Sequence, residues 1–313
     1  MTPKFVRGSQ LPVVLPPAVD ELLSSWINRH ALFYDVPPLV MLRHCMVDVS
    51  SLRALDLRLT EGEASRVAEM LRTDASSVRR LSLADFSPKF HRFIATKPVQ
   101  LCAVCSRQRD PTGSEPTRRS QLLGWRVSCS QCGAALTDNH DHETPCPFAD
   151  YWTEALNGQR LIDDEAERGI RSWGSPTELA RLLLMRRDPR TGHSASNNDL
   201  RLLGLVVPEI DALVTDRRIK LPSPARPILP LWLRPALLAA VSLVELQGPV
   251  MLAWLQGKTI GQNRTRFTEV AAPMLAIPTP LRSYQYCSIN DNFCLNDSQI
   301  SCSNASELAH SCK

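Results

Sequence analysis

Two cysteine pairs with the same two-residue gap, Cys102-Ala-Val-Cys105 and Cys129-Ser-Gln-Cys132-Gly133, are separated by 23 residues of mostly polar chain. A Cys-x-x-Cys turn aims two thiolates at one point, and two such turns complete the tetrahedral sulfur set that zinc favours. Four thiolates leave no coordination position open to a substrate, so the chemistry expected of Cys102, Cys105, Cys129 and Cys132 is structural: a bound zinc that folds the segment. The separation slightly exceeds the roughly 15 to 20 residues of a four-cysteine ribbon. The insert Arg107 to Arg119, with Pro111, Gly113 and Pro116, can loop out at small entropic cost. His140, His142 and Cys146 form a looser group whose spacing matches no recognised cage. They could complete a second metal site or, with Asp138, Asp141 and Glu143 around them, form an exposed polar loop, which is the preferred reading.

Catalytic signatures are missing: the chain has no Walker-type phosphate loop, no Gly-x-Ser-x-Gly and no His-Glu-x-x-His. A metal-dependent nuclease centred on His140 to Glu143 would need a cluster of acidic ligands on an apolar scaffold, and none stands out. Missing motifs weigh only weakly against catalysis; a non-enzyme is expected chiefly from the resemblance described below. The remaining cysteines read separately, Cys45 as a small buried residue in an apolar run and Cys287, Cys294, Cys302 and Cys312 as irregularly spaced members of a tail.

With 313 residues, 43% of them hydrophobic and 22% charged, the chain has the composition of a soluble protein with two or three domains. The N-terminus lacks a signal-peptide apolar stretch, and the longest apolar region, Ile228 to Leu255, is interrupted by Arg234, Glu245 and Pro249. A cytoplasmic protein without a membrane span is expected, in a compartment where paired cysteines serve as ligands rather than disulfides. Residues 51 to 126 hold 14 Arg and Lys against 8 Asp and Glu. That basic middle suggests a nucleic-acid partner.

The elements around the cysteines read as helices. Asp20 to Leu32 places Leu22, Leu23, Trp26, Ile27 and Ala31 on one helical face, with Trp26 as a core anchor. Thr60-Glu-Gly-Glu63 has the form of a capping box, and Asp74 can cap a second short helix carrying Val78 and Leu81 inward and Arg79 and Arg80 outward. This pair has the form of a helix-turn-helix, in which Arg79 and Arg80 would bind nucleic acid. Ser175-Pro-Thr-Glu178 announces another helix, Leu200 to Val214 a further one, and Leu233 to Leu246 and Pro249 to Leu255 an apolar pair. The fold class expected is mainly α, with a helical N-terminal domain over 1–98, a zinc-ribbon-like segment over 99–150, a helical C-terminal domain over 151–272 and a poorly ordered tail over 273–313. Any strands should be short and belong to the zinc segment.

Leu15-Pro-Pro-Ala-Val-Asp-Glu-Leu-Leu-Ser-Ser-Trp-Ile-Asn-Arg-His-Ala, followed by Cys102-x-x-Cys105, Gly124-Trp125-Arg126 and Cys129, resembles the TniQ family of transposition proteins. The likeness covers residues 11 to 150 and, more loosely, 175 to 257, where Gly248-Pro249 between apolar helices is similar to a helical hairpin of the family. Two departures stand out. Family members usually carry Cys-x-x-His-Gly where this chain has Cys129-x-x-Cys132-Gly133. Of their further Cys-x-x-Cys only Cys146 is present, with Ala149 at the partner position. The resemblance implies a non-catalytic accessory protein that selects a transposition target or bridges DNA, or a guide-RNA ribonucleoprotein, to an AAA+ transposition ATPase, and it admits a homodimer. The alternative is a zinc-containing helix-turn-helix transcription regulator.

Overall fold

The computed structural model describes residues 10–45, 47–107, 116–138, 146–188 and 200–276, all within the compact unit Met1–Thr279. His140, His142, the tail cysteines and most of the insert after Cys105 lie outside the described residues, as does the expected poorly ordered tail from residue 277 on; its start at 273 is corrected, since 273–275 are helical and Met274 is buried in the core. Within the described residues the protein is mainly α, with twelve α-helices and a single two-stranded sheet.

The chain begins as a proline-rich segment laid along α1 (Leu23–Phe33). Side chains one helical turn apart hold its backbone: Trp26 Nε1 donates to Leu15 O at 2.8 Å, and Tyr34 OH donates to Val13 O at 2.7 Å. Between them, Leu15 N–H donates to His30 Nε2 at 3.0 Å, and His30 Nδ1 faces Trp26 O at 2.8 Å. Nε2 must therefore be the bare nitrogen, and burial depresses the His30 pKa in keeping with a neutral ring. Prolines donate no N–H, so such a segment forms no ladder and its remaining polar groups depend on these side chains.

Helix α1 has no cap of its own; Asp56 on α3 (Leu52–Arg58) accepts the Ser24 N–H at 3.0 Å in its place. Burial pushes the Asp56 carboxyl up to about 6, against the bonds from Ser24 and the charge of Arg53. The expected capping box opens α4 (Glu61–Met70): Thr60 N–H donates to Glu63 Oε2 at 2.8 Å, and Glu63 N–H to Thr60 Oγ1 at 3.3 Å. Asp74 accepts the Ser77 N–H at 2.7 Å and opens α5 (Ala75–Leu81). With α2 (Pro38–His44), these helices enclose a first core that includes Leu23, Trp26, Ile27, Leu42, Leu55 and Val67.

A second core takes Leu22 from the opening stretch and, from Leu83 on, runs through the cysteine segment into the remaining helices. The cysteine segment therefore shares its core with the C-terminal helices. Phe86, Phe90 and Phe93 surround Trp125 with ring centroids 6.1, 6.1 and 6.3 Å from it. Helix α6 (Trp152–Arg168), which the sequence patterning does not announce, packs along α10 (Arg234–Gln247). A Cβ built on Gly158 would stand 1.9 Å from Leu238 O, so the two backbones touch where residue 158 has no side chain.

Helix α7 (Pro176–Leu183) starts at the expected Ser175 cap. The expected helix over Leu200 to Val214 is instead two, α8 (Leu203–Val206) and α9 (Glu209–Asp216), because Pro208 closes the first and opens the second. Gly248 at φ +74° separates α10 from α11 (Pro249–Gly257), and a further unannounced helix, α12 (Gly261–Leu275), follows. No single helix among the described residues is long and apolar enough to cross a membrane. The pair Leu231–Gln247 and Pro249–Gly257 has the composition but is bent by 116°.

Two predictions follow from this packing. Trp26, 2% exposed and bonded to Leu15 O, should cost roughly 3 to 5 kcal/mol on truncation to Ala, read as a lower melting temperature; wild-type melting would contradict its place in the core. Glu245 on α10 is held up to about 7 by burial and by the charge of Glu165. The folded state then keeps a proton that the unfolded chain releases near 4.5, so stability falls as pH rises between those values. Glu245→Gln should stabilise the fold above pH 7, by at most about 3.5 kcal/mol at about 1.4 kcal/mol per pKa unit, read as a higher melting temperature, and leave it unchanged at pH 4.

Candidate metal centre

The two-stranded sheet sets up the site. Strand β1 (Gln100–Leu101) pairs antiparallel with β2 (Thr137–Asp138), Gln100 opposite Asp138 and Leu101 opposite Thr137. One strand leads into the first cysteine turn and the other leads out of the second. The turns themselves are shaped by backbone bonds. Cys105 N–H donates to Cys102 Sγ and Gln131 N–H to Cys129 Sγ, both at 3.4 Å. In the second turn, Cys129 N–H donates to Ala134 O at 2.8 Å and Gly133 N–H to Cys129 O at 3.1 Å, with Gly133 at φ +72°. A side chain would strain that left-handed position, which accounts for the glycine following Cys132.

The four sulfurs of Cys102, Cys105, Cys129 and Cys132 lie within 4.8 Å of one another. Cys102 Sγ is 3.5 Å from Cys132 Sγ, and Cys105 Sγ is 3.8 Å from Cys129 Sγ. Four sulfurs 2.3 Å from a tetrahedral metal would stand about 3.8 Å apart, so the donor set has the dimensions of a metal site and could hold one ion. Cys102, Cys105 and Cys129 are buried, and Cys132 is exposed, which leaves an entry path from solvent. Burial, then bonds from the three neighbouring thiols, push Cys105 up to about 12. A bound cation acts the other way and takes the sulfurs as thiolates, whose charge the two N–H···S bonds also favour.

Second-layer contacts fix both turns. Gln159 on α6 accepts from Val127 N–H at 2.8 Å and Ser128 N–H at 3.0 Å, and its Nε2 donates to Ser128 Oγ at 2.9 Å. One turn on, Asp163 accepts Trp125 Nε1 at 2.8 Å and Arg126 Nη2 at 2.9 Å. Burial raises the Asp163 pKa, against the charge of Arg126. Beneath the first turn, Gln100 Nε2 donates to Ser120 O and Leu123 O, while buried Arg234 donates to Gln100 Oε1, to Arg126 O and to Leu229 O. Burial lowers the Arg234 pKa to about 10, with Asp138 acting the other way, so the guanidinium stays charged at neutral pH. Gly124, ahead of Trp125, has no room for a side chain: a Cβ would meet Phe93 O at 2.7 Å.

The opening stretch Asp20-Glu-Leu-Leu-Ser-Ser-Trp is joined to the cysteine segment. Asp20 Oδ2 accepts Ser120 N–H at 3.1 Å and Ser130 Oγ at 3.4 Å; Leu22 N–H donates to Thr117 O, and Thr117 N–H to Ser25 Oγ, both at 2.9 Å. Glu21, fully buried, is met by Arg29 Nε at 2.8 Å and Nη2 at 2.6 Å, and by Ser25 Oγ at 3.0 Å.

The other sequence candidates are placed apart. Cys146 Sγ donates to Trp232 O at 3.6 Å and is not in the four-sulfur cluster. Cys45 is buried with its thiol toward Leu42 O, and burial pushes its pKa up to about 11. Arg79 is engaged with Glu61 at 3.0 Å and with Asp85; Arg80 is exposed and donates to Ser76 and Ser77 hydroxyls at 3.1 and 2.7 Å. The supports Gln159, Asp163 and Arg234 escaped the sequence reading, since an isolated polar residue in a helix carries no spacing signal. No family model matches this chain, and no curated protein or solved structure matches it.

Purified protein should carry one metal ion per chain by elemental analysis. Cys105→Ser should lose the ion and lower the melting temperature, and Cys146→Ser should do neither; retention of metal by the Cys105 variant would remove the four-sulfur assignment.

Proposed function

We propose that this chain is a non-catalytic accessory protein of DNA transposition, with zinc in its four-cysteine site, that selects a target or joins a nucleic-acid complex to an AAA+ transposition ATPase in the cytoplasm. One observation carries the reading: the two sequence blocks that resemble the TniQ family form one physical unit. Asp20, Leu22 and Ser25 bond directly to Thr117, Ser120 and Ser130 of the cysteine segment. Residues separated by about a hundred positions in a motif are explained when they build a single joint.

Zinc is the ion of choice because an all-thiolate tetrahedral set suits it and a site closed by four protein ligands offers rigidity rather than catalysis. The thiols stay available to metal in a reducing compartment. On this reading Arg79 and Arg80, at the end of α5, contribute phosphate contacts. Their present partners are exposed serines and the exposed carboxylates Glu61 and Asp85, which hold them weakly in water.

The test is capture of the tagged full-length chain from its native host, with the recovered proteins identified by mass spectrometry and the metal by elemental analysis. The expected result is zinc together with an AAA+ ATPase, a transposase or a guide-RNA complex. Recovery of RNA polymerase components with none of these would favour the transcription-regulator alternative and overturn the transposition reading.

A further inference from the structure

We propose that α11, the turn Lys258-Thr259-Ile260 and α12 form a helix-turn-helix whose second helix enters the major groove of duplex DNA. The inference rests on the nucleic-acid reading above and places the contact on an element that the sequence motifs did not indicate.

The turn is built rather than incidental. Buried Thr259 donates its hydroxyl to Gln256 O at 2.7 Å and its N–H to the same oxygen at 3.1 Å. Gly261 takes φ +53° with open space around it, so backbone conformation alone selects glycine there. Gln256 Nε2 on α11 donates to Thr268 Oγ1 on α12 at 2.7 Å and ties the two helices together. A helix pair joined by a three- or four-residue turn with glycine is the form in which the second helix reads DNA.

Helix α12 is anchored by one part and presented by another. Phe267, Ala271 and Met274 are buried against the core. From Gly261 to Arg266, more than a full turn, no residue is buried, and these positions carry Gln262, Asn263, Arg264, Thr265 and Arg266. A turn that contributes nothing to packing has no stability reason for this composition. Its chemistry is that of base-edge and phosphate recognition: Gln and Asn match adenine, and Arg matches guanine or phosphate. Gly261, Arg264, Thr265, Thr268, Glu269 and Ala272 form one open face of the same helix.

Charge fits the same partner. From Gln256 to Thr268 there are three basic residues and no acidic one. Lys258 sits over the Trp254 ring at 5.2 Å, while Arg264 and Arg266 make no ion pair among the described residues, in contrast to Arg79, Arg126 and Arg187. B-form DNA accommodates a helix in its major groove, whereas that of A-form RNA is too narrow for side chains to read.

The experiment is fluorescence-anisotropy titration of the full-length, metal-loaded chain with a mixed-sequence duplex of about 30 base pairs, roughly three helical turns, over a series of salt concentrations. Arg264→Ala with Arg266→Ala should reduce the salt slope by about two and weaken binding about tenfold or more at low salt. Arg264→Lys with Arg266→Lys should keep the slope, and melting should be unchanged in both variants because the residues are exposed. Binding by wild type with an unaltered slope in the alanine variant, or a loss confined to Arg79→Ala with Arg80→Ala, would overturn the inference and leave the nucleic-acid reading standing. No binding of duplex by wild type would remove both. A preference for duplex RNA over DNA would overturn the major-groove assignment.

Discussion

Helices α6 and α10 come into backbone contact because residue 158 is glycine, and both halves of the metal centre hang from that contact. A Cβ at this position would overlap Leu238 O at 1.9 Å, so any side chain would drive the helices apart. The next residue, Gln159, holds the Val127 and Ser128 amides that lead into Cys129. From the other helix, Arg234 holds Gln100, two residues ahead of Cys102. Separating the helices would separate the strands that bring four sulfurs within 4.8 Å of one another. A close-packed interior transmits such a displacement instead of absorbing it.

Buried charge serves register here more than stability. Removing two ions from water costs about as much as their attraction returns, so a buried pair adds little on balance, yet breaking one partner leaves an uncompensated charge. Glu21 with Arg29 locks the entrance of α1, and Arg29 also donates to Pro16 O at 2.7 Å. Glu165 gathers Lys89, Ser175 and Thr177 around one carboxylate; burial alone would raise its pKa, but these bonds lower it. The Glu21 network fixes the local entry into α1, and the Glu165 network joins Lys89 to a helix 76 residues further on. Misplaced chains would strand a charge in each case, which disfavours alternative arrangements of the same apolar surface.

The sequence was legible where local chemistry decides the structure. Thr60 with Glu63, Asp74 and Ser175 cap their helices as their spacing implies, and the two Cys-x-x-Cys turns meet in one four-sulfur cluster, as their matched spacing implies. It was illegible where tertiary contact decides. Helix α6 buries Ala155, Gly158, Gln159, Glu165 and Ala166 with Ile162, a stripe too small and polar to show apolar periodicity, because close approach to α10 requires small residues. Helix α12 buries three residues in fifteen, so its pattern is diluted by the turn that it presents to solvent. The break at Pro208 was visible as a proline, but the apolar run on either side concealed that one helix had become two.

A two-stranded sheet of two residues per strand has marginal stability in water, and this sheet brackets the segment that links the two cores. On the first core's side the link is Asp20, Leu22 and Ser25 bonding to Thr117, Ser120 and Ser130. On the second core's side it is Gln159 bonding to Val127 and Ser128 ahead of Cys129, and Arg234 bonding to Gln100 on β1. Neither set of bonds closes the segment on itself; a metal ion bound to all four sulfurs does, since it ties residue 102 to residue 132 across the whole insert. The two cores have their own apolar reasons to fold, Trp26 and its neighbours in one and the α6–α10 pair in the other. An ion held by these four sulfurs would therefore concentrate its contribution at the junction, tying the turn at Cys102 to the turn at Cys132, and with all four positions taken by thiolates it would leave none open to a substrate.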